Sequence, residues 1–82
     1  MEELVVKYIR KCAEVIEHLE ASGVRSRVDE KVRYVIELAK QYLRDAEFYR
    51  SEGRLDVSLA SVSYSEGLLD ALRLLGLVEF EW

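Results

Sequence analysis

Residues 28–49, VDEKVRYVIELAKQYLRDAEFY, decide the fold. Val28, Val32, Val35, Ala39, Tyr42, Ala46 and Tyr49 recur there at alternating spacings of four and three, which holds all of them on one face of a helix. Segments of the same character lie on either side. The chain therefore reads as an all-α, antiparallel three-helix bundle with helices at about 2–21, 27–52 and 56–75 and an extended C-terminal tail, a single domain over residues 1–82.

Upstream, the first helix has Val5, Ile9, Cys12, Ile16 and Leu19 as its seam, with Tyr8 and Val15 widening it, and Glu2 and Glu3 suit its positive N-terminal end. Ser22 and Gly23 end it, because glycine adopts the left-handed conformation after a helix without a Cβ penalty. Ser26 is then the expected N-cap of the second helix, with Asp29 in the capping-box position. Gly53 stops that helix, and Asp56 is the expected N-cap of the third. The third carries Ala60, Tyr64, Gly67, Ala71 and Leu74 on one seam, with Leu68, Leu72 and Leu75 beside it, and closes at Gly76. In the tail, Leu77-Val78-Glu79-Phe80-Glu81-Trp82, apolar and acidic residues alternate like a short strand, but no second strand exists to pair with it. An extended segment pressed onto the bundle is the expectation.

The bulk properties fit this reading. Eighty-two residues, half of them hydrophobic, with no Pro and only four Gly, suit one small helical domain built on local contacts. The single Cys12 cannot form an internal disulfide, and neither a charged-then-apolar leader nor an uncharged run of about 20 residues occurs, so a reducing cytoplasm and no membrane partner are expected. A net charge of -4 argues against broad nucleic-acid binding, which needs a clustered positive surface. Only the second helix leans positive. Its opening group Arg25, Arg27, Lys31 and Arg33 opposes the helix dipole, so it reads either as an anion-facing patch or as a face neutralised by Asp29 and Glu30.

Short connections make successive helices antiparallel. The expected register places Leu19 by Val28, Cys12 by Val35 and Val5 by Tyr42, and then Tyr49 by Ala60, Asp45 by Tyr64 and Tyr42 by Gly67. In this register the first helix runs out opposite Tyr42. The end of the second helix and the start of the third then project beyond it, leaving Leu43, Ala46, Phe48, Tyr49, Leu55, Val57, Leu59 and Val62 as an apolar overhang.

No nucleophile–base pair, metal-ligand spacing or phosphate loop stands out, so no catalytic residue, metal or cofactor is assigned. Gly67 is the anomaly, since glycine inside a helix costs about 1 kcal/mol relative to Ala. Either Tyr42 packs over it or a ligand approaches the backbone there. Ser63, Glu66 and Asp70 recur at helical spacing, with Asp45 and Tyr42 brought toward the same region, and could form a polar notch. The alternative is a Tyr64 hydroxyl bonded to Asp45, with Asp70 reaching Arg73. His18 reads as a solvated surface residue and Cys12 as a small core hydrophobe.

The stretch Tyr42-Leu-Arg-Asp45-Ala46-Glu-Phe48-Tyr49, then Gly53, then Ser63-Tyr64-Ser65-Glu66-Gly67-Leu68-Leu69-Asp70-Ala71-Leu72, resembles the archaeal family known as domain of unknown function 357. The match covers residues 42–76. The resemblance implies a small helical-hairpin domain, an archaeal source, no assigned activity, and signature positions at Tyr42, Asp45, Ala46, Gly53, Tyr64, Glu66, Gly67 and Asp70. Two positions depart from the family pattern: Arg54 follows Gly53 where an acidic residue is the rule, and Ser65 stands where Ala is usual.

These readings lead to a non-enzymatic protein-interaction or oligomerisation module, with the end of the helix 2/helix 3 hairpin as its contact surface. The residues assigned to partner or ligand binding are Tyr42, Asp45, Phe48, Tyr49, Leu59, Ser63, Tyr64, Glu66 and Asp70. A homo-oligomer or a protein partner is expected. The second reading is a small-ligand or nucleotide-binding domain with its notch near Gly67.

Overall fold

The computed structural model describes residues 1–22 and 29–82. It contains α1 (Glu2–Ser22), α2 (Asp29–Ser51) and α3 (Leu55–Leu74), with no strand among the described residues. The all-α three-helix bundle is as expected. The N-cap expected at Ser26, the stripe residue Val28 and the basic residues Arg25 and Arg27 lie outside the described residues.

The core seam of α1 is Val5, Cys12, Val15, Ile16 and Leu19. On α2 the fully buried line is Val32, Ile36, Ala39, Leu43 and Ala46, while Val35, Tyr42 and Tyr49 are half-buried at its edge. The stripe is thus rotated slightly from the expected one. Ile36 and Leu43 offer purely aliphatic surface to the core, whereas a tyrosine at the edge buries its ring and keeps its hydroxyl in water.

On α3 the expected seam is overturned. Ser58, Val62, Ser65, Leu69 and Leu72 are buried, and Ala60, Tyr64, Gly67, Ala71 and Leu74 are exposed. Turning Val62, Leu69 and Leu72 inward removes far more apolar area from water than turning in Ala60, Gly67 and Ala71. The two serines that come with them are satisfied by the backbone of α2. Ser58 Oγ donates to the Ala46 carbonyl at 2.6 Å and Ser65 Oγ to the Ala39 carbonyl at 2.8 Å. The pairs lie two turns apart on both helices, and all four side chains are small and completely buried. The α2 and α3 backbones therefore approach closely, and no buried side-chain nitrogen or oxygen lacks a partner among the described residues.

Both registers differ from expectation. Ala46 faces Ser58 and Tyr42 stacks on Tyr64 rather than lying over Gly67, a shift of about one turn. At Gly67 an added Cβ would meet nothing within 4 Å, so the glycine is not a packing contact among the described residues. On α1, Glu2 pairs with Arg50 at 3.3 Å, and Glu20 accepts from Lys40 at 2.8 Å. The start of α1 therefore reaches the last turn of α2, and of the expected overhang only Phe48 stays largely exposed. Leu43, Ala46 and Val62 are buried, and Leu59 packs against the core.

The two glycine stops are as expected. Gly53 and Gly76 have φ of 75° and 73°. In each case the glycine N–H bonds three residues back, to Arg50 and Arg73, and the next N–H bonds five back, to Tyr49 and Leu72. This is the paired 5→2 and 6→1 closure that satisfies the last carbonyls of a helix. Asp56 is not the N-cap of α3. The chain enters the helix directly from this closure, with Arg54 at the cap position and no side-chain cap bond, and Asp56 sits in the first turn, where its charge suits the dipole.

Beyond α3 the tail folds back onto the bundle. Val78 is buried and Phe80 packs on the core. His18, exposed as expected, also holds the tail, its Nε2–H donating to the Glu79 carbonyl at 3.2 Å.

Candidate functional site: the outer face of the helix 2/helix 3 hairpin

At 100° per residue, the four charged residues of α3, Asp56, Glu66, Asp70 and Arg73, fall within one sector of about 100°. Three of them turn toward α1 and the tail. Glu66 lies near enough to Cys12 to act on it, and Asp70 and Arg73 meet Trp82. The opposite flank, Val57, Ala60, Ser61, Tyr64, Leu68, Ala71 and Leu75, has no charge at all. α1 occupies the other side of the hairpin, so among the described residues no helix covers this flank. Tyr64 is 52% exposed and Leu75 72% exposed.

The facing flank of α2 contributes Val35, Leu38, Tyr42 and Tyr49, all half-buried. The Tyr42 and Tyr64 rings meet across the groove with centroids 4.4 Å apart and planes inclined at 41°. Toward the hairpin tip, Phe48 packs edge-on against Tyr49 at 5.3 Å, and the Arg54 guanidinium lies 5.3 Å from the Tyr49 ring centre. Phe48 is 57% exposed. Aromatic pairs thus mark the hairpin at its tip, Phe48 with Tyr49, and farther along it, Tyr42 with Tyr64.

The residues singled out from sequence divide between two regions. Tyr42, Phe48, Tyr49 and Tyr64 belong to this face, with Asp45 and Ser63 exposed at its margins. Glu66 and Asp70 lie on the other flank of α3, and Leu59 packs against the core. The polar side chains expected around Gly67 therefore do not converge on one notch, and Tyr64 rests on Tyr42 instead of bonding Asp45. Leu38 and Leu68, which complete the face, went unassigned. Leu38 stands four residues before Tyr42 and Leu68 four after Tyr64, and that spacing is the signal for them.

Asp70 anchors the tail instead. Its Oδ1 accepts from Trp82 Nε1 at 3.0 Å and from Arg73 Nε at 2.9 Å, and those two donors hold its carboxyl below the usual Asp value. Between tail and α1 lies a cavity of about 210 Å³ lined by Lys11, Glu14, Val15, His18, Phe80, Glu81 and Trp82. Burial pushes the Cys12 thiol up to about 11, and Glu66 adds to that. Lys40 is raised above its ordinary value, chiefly by its bond to Glu20. Among the described residues, no group of three or more His, Cys, Asp or Glu is placed to hold a metal ion, and no helix is long and apolar enough to cross a membrane.

These features define a small helical bundle with one face of its central hairpin uncovered. The chain belongs to the family described as Protein of unknown function (DUF357), whose family model matches residues 7–78. No curated protein and no solved structure matches the chain.

Proposed function

We propose that this protein is a non-enzymatic interaction module whose contact surface is the outer face of the α2/α3 hairpin. The observation that supports this is the charge-free flank of α3, which carries Tyr64 and Leu75 into solvent beside Tyr42. A helix apolar on both faces is ordinarily covered on both. Contiguous exposed apolar surface on a small soluble-type domain marks a site of association. The hairpin tip, with Phe48 and Tyr49, is one end of this surface rather than the whole of it. The reducing cytoplasm is the compartment that suits the buried free thiol of Cys12.

Site-specific photo-crosslinking tests the reading. A benzophenone side chain replacing Tyr64 or Leu75 should capture protein in the cells that make this chain, whereas the same group replacing Glu17, exposed on α1, should not. Equal labelling from all three positions, or none from the hairpin positions, would sink it.

A further inference from the structure

Away from the hairpin face, α1 and the tail enclose a cavity between them. We propose that this cavity is a binding site for a small zwitterion carrying an aromatic group, with the size and charge pattern of an aromatic amino acid.

Two elements build its walls. On α1, Lys11, Glu14, Val15 and His18 follow one another at spacings of three, one and three, which sets them on one face of the helix. Val15 is buried and supplies an apolar floor. The opposite wall is the tail, where the Phe80 and Trp82 rings meet edge-on with centroids 4.9 Å apart and planes inclined at 87°. Both rings are held in place. Phe80 packs on the core, and the Trp82 indole is tied to Asp70, which also accepts from Arg73. Between the buried Val78 and Phe80, the Glu79 carbonyl is bonded to His18 on the facing wall. A site whose walls are fixed beforehand loses less freedom when a ligand enters.

The cavity volume is about 210 Å³. An apolar cavity of roughly 150 Å³ takes one benzene, so this one has room for a phenyl ring and a short polar group.

The charges on the lining select that group. Glu14 has Arg10 at 3.9 Å, whereas Lys11 and Glu81 line the same cavity with no ion-pair partner among the described residues. Lys11 is half-buried on α1, and Glu81 is exposed on the tail. A ligand with only a carboxylate would meet Glu14 and Glu81 with no charge to offer them. One with only an ammonium would set like charge against Lys11. A molecule bearing both signs gives Lys11 a carboxylate and Glu81 an ammonium, while its ring lies against Val15, Phe80 and Trp82.

L-Phenylalanine is the probe that tests this. Trp82 is the only tryptophan and forms part of the wall, and phenylalanine does not absorb where tryptophan is excited. Titrating the full chain with L-phenylalanine should therefore change the emission along a saturating curve, with a midpoint in the millimolar range expected for so small a ligand. Phenethylamine, which lacks the carboxylate, and 3-phenylpropionate, which lacks the ammonium, should each bind about threefold or more weakly. Lys11→Met should weaken L-phenylalanine but not phenethylamine, and Glu81→Gln should weaken L-phenylalanine but not 3-phenylpropionate. In amide NMR spectra, L-phenylalanine should shift Val15, His18 and Phe80 and leave Tyr42 and Tyr64 in place. An emission change that stays linear to about 20 mM overturns the proposal. So does either singly charged analogue binding as tightly as L-phenylalanine, or amide shifts confined to the hairpin face.

Discussion

On α3, the buried line Ser58, Val62, Ser65, Leu69 and Leu72 and the exposed line Ala60, Tyr64, Gly67, Ala71 and Leu74 repeat at the same helical spacings. One packs against α1 and α2, and the other faces water. Periodicity identifies both as stripes and cannot rank them. The ranking comes from the apolar area each can remove from water and from whether the polar groups carried inward find partners. Two serines look like poor core residues until the Ala39 and Ala46 carbonyls of α2 stand opposite them.

The contrast is broken most directly by truncating one leucine from each line. Leu69→Ala removes a completely buried side chain and should cost about 2–5 kcal/mol in urea denaturation. Leu74→Ala, at a position 72% exposed, should stay within about 0.5 kcal/mol of wild type. Similar losses at the two sites would mean that the inner and outer faces are misassigned.

The hydroxyls give a subtler comparison. Ser65→Ala deletes the hydroxyl and its bond to the Ala39 carbonyl without adding bulk, and should cost about 0.5–1.5 kcal/mol. Ser63→Ala on the exposed side should cost nothing measurable by the same denaturation. A neutral Ser65→Ala would show that close approach of the α2 and α3 backbones, not the hydrogen bond, holds this pair together.

Gly67→Ala should raise stability, by up to about 1 kcal/mol, in the same denaturation. The open space at Gly67 sets that sign. Had Tyr42 lain over the glycine, the same change would have crowded the helices and lowered the melting temperature.

The smallest effect concerns the border between the two faces, where Asp70 holds Trp82. The folded-state pKa of Asp70 lies below its ordinary value of 3.8. Its contribution is therefore complete above that ordinary value and is lost as the pH falls through the lower, folded one. Trp82 is the only tryptophan, so its fluorescence should stay constant down to about pH 4 and change below it. Asp70→Asn should move the emission at neutral pH and flatten that acid step. An identical titration in the two proteins would detach Trp82 from Asp70.

Some of the site was legible before any fold was known. Tyr42, Phe48, Tyr49 and Tyr64 were selected from sequence, and they meet on one surface because each is a large apolar group at the edge of a helical stripe. Glu66 and Asp70 are grouped with them because the sequence reading turns the stripe Ala60, Tyr64, Gly67, Ala71 and Leu74 toward α2, whereas that stripe faces water. Helical spacing restricts which residues share a face, and it leaves the sliding of one helix along another undetermined. That sliding also misplaced α1, whose Glu2 and Glu20 find Arg50 and Lys40 on α2.

What the sequence by itself determined was local: three helices, the Gly53 and Gly76 stops and the buried Cys12, all set by the period of apolar residues and by backbone conformations that glycine alone adopts without strain. The tertiary structure decided which stripe of α3 became core, which residues faced each other across α2 and α3, and which apolar surface was left over. Those outcomes depend on side chains distant in sequence competing for the same buried space, with Ser58 and Ser65 admitted to it because carbonyls 12 and 26 residues away accept their hydroxyl protons.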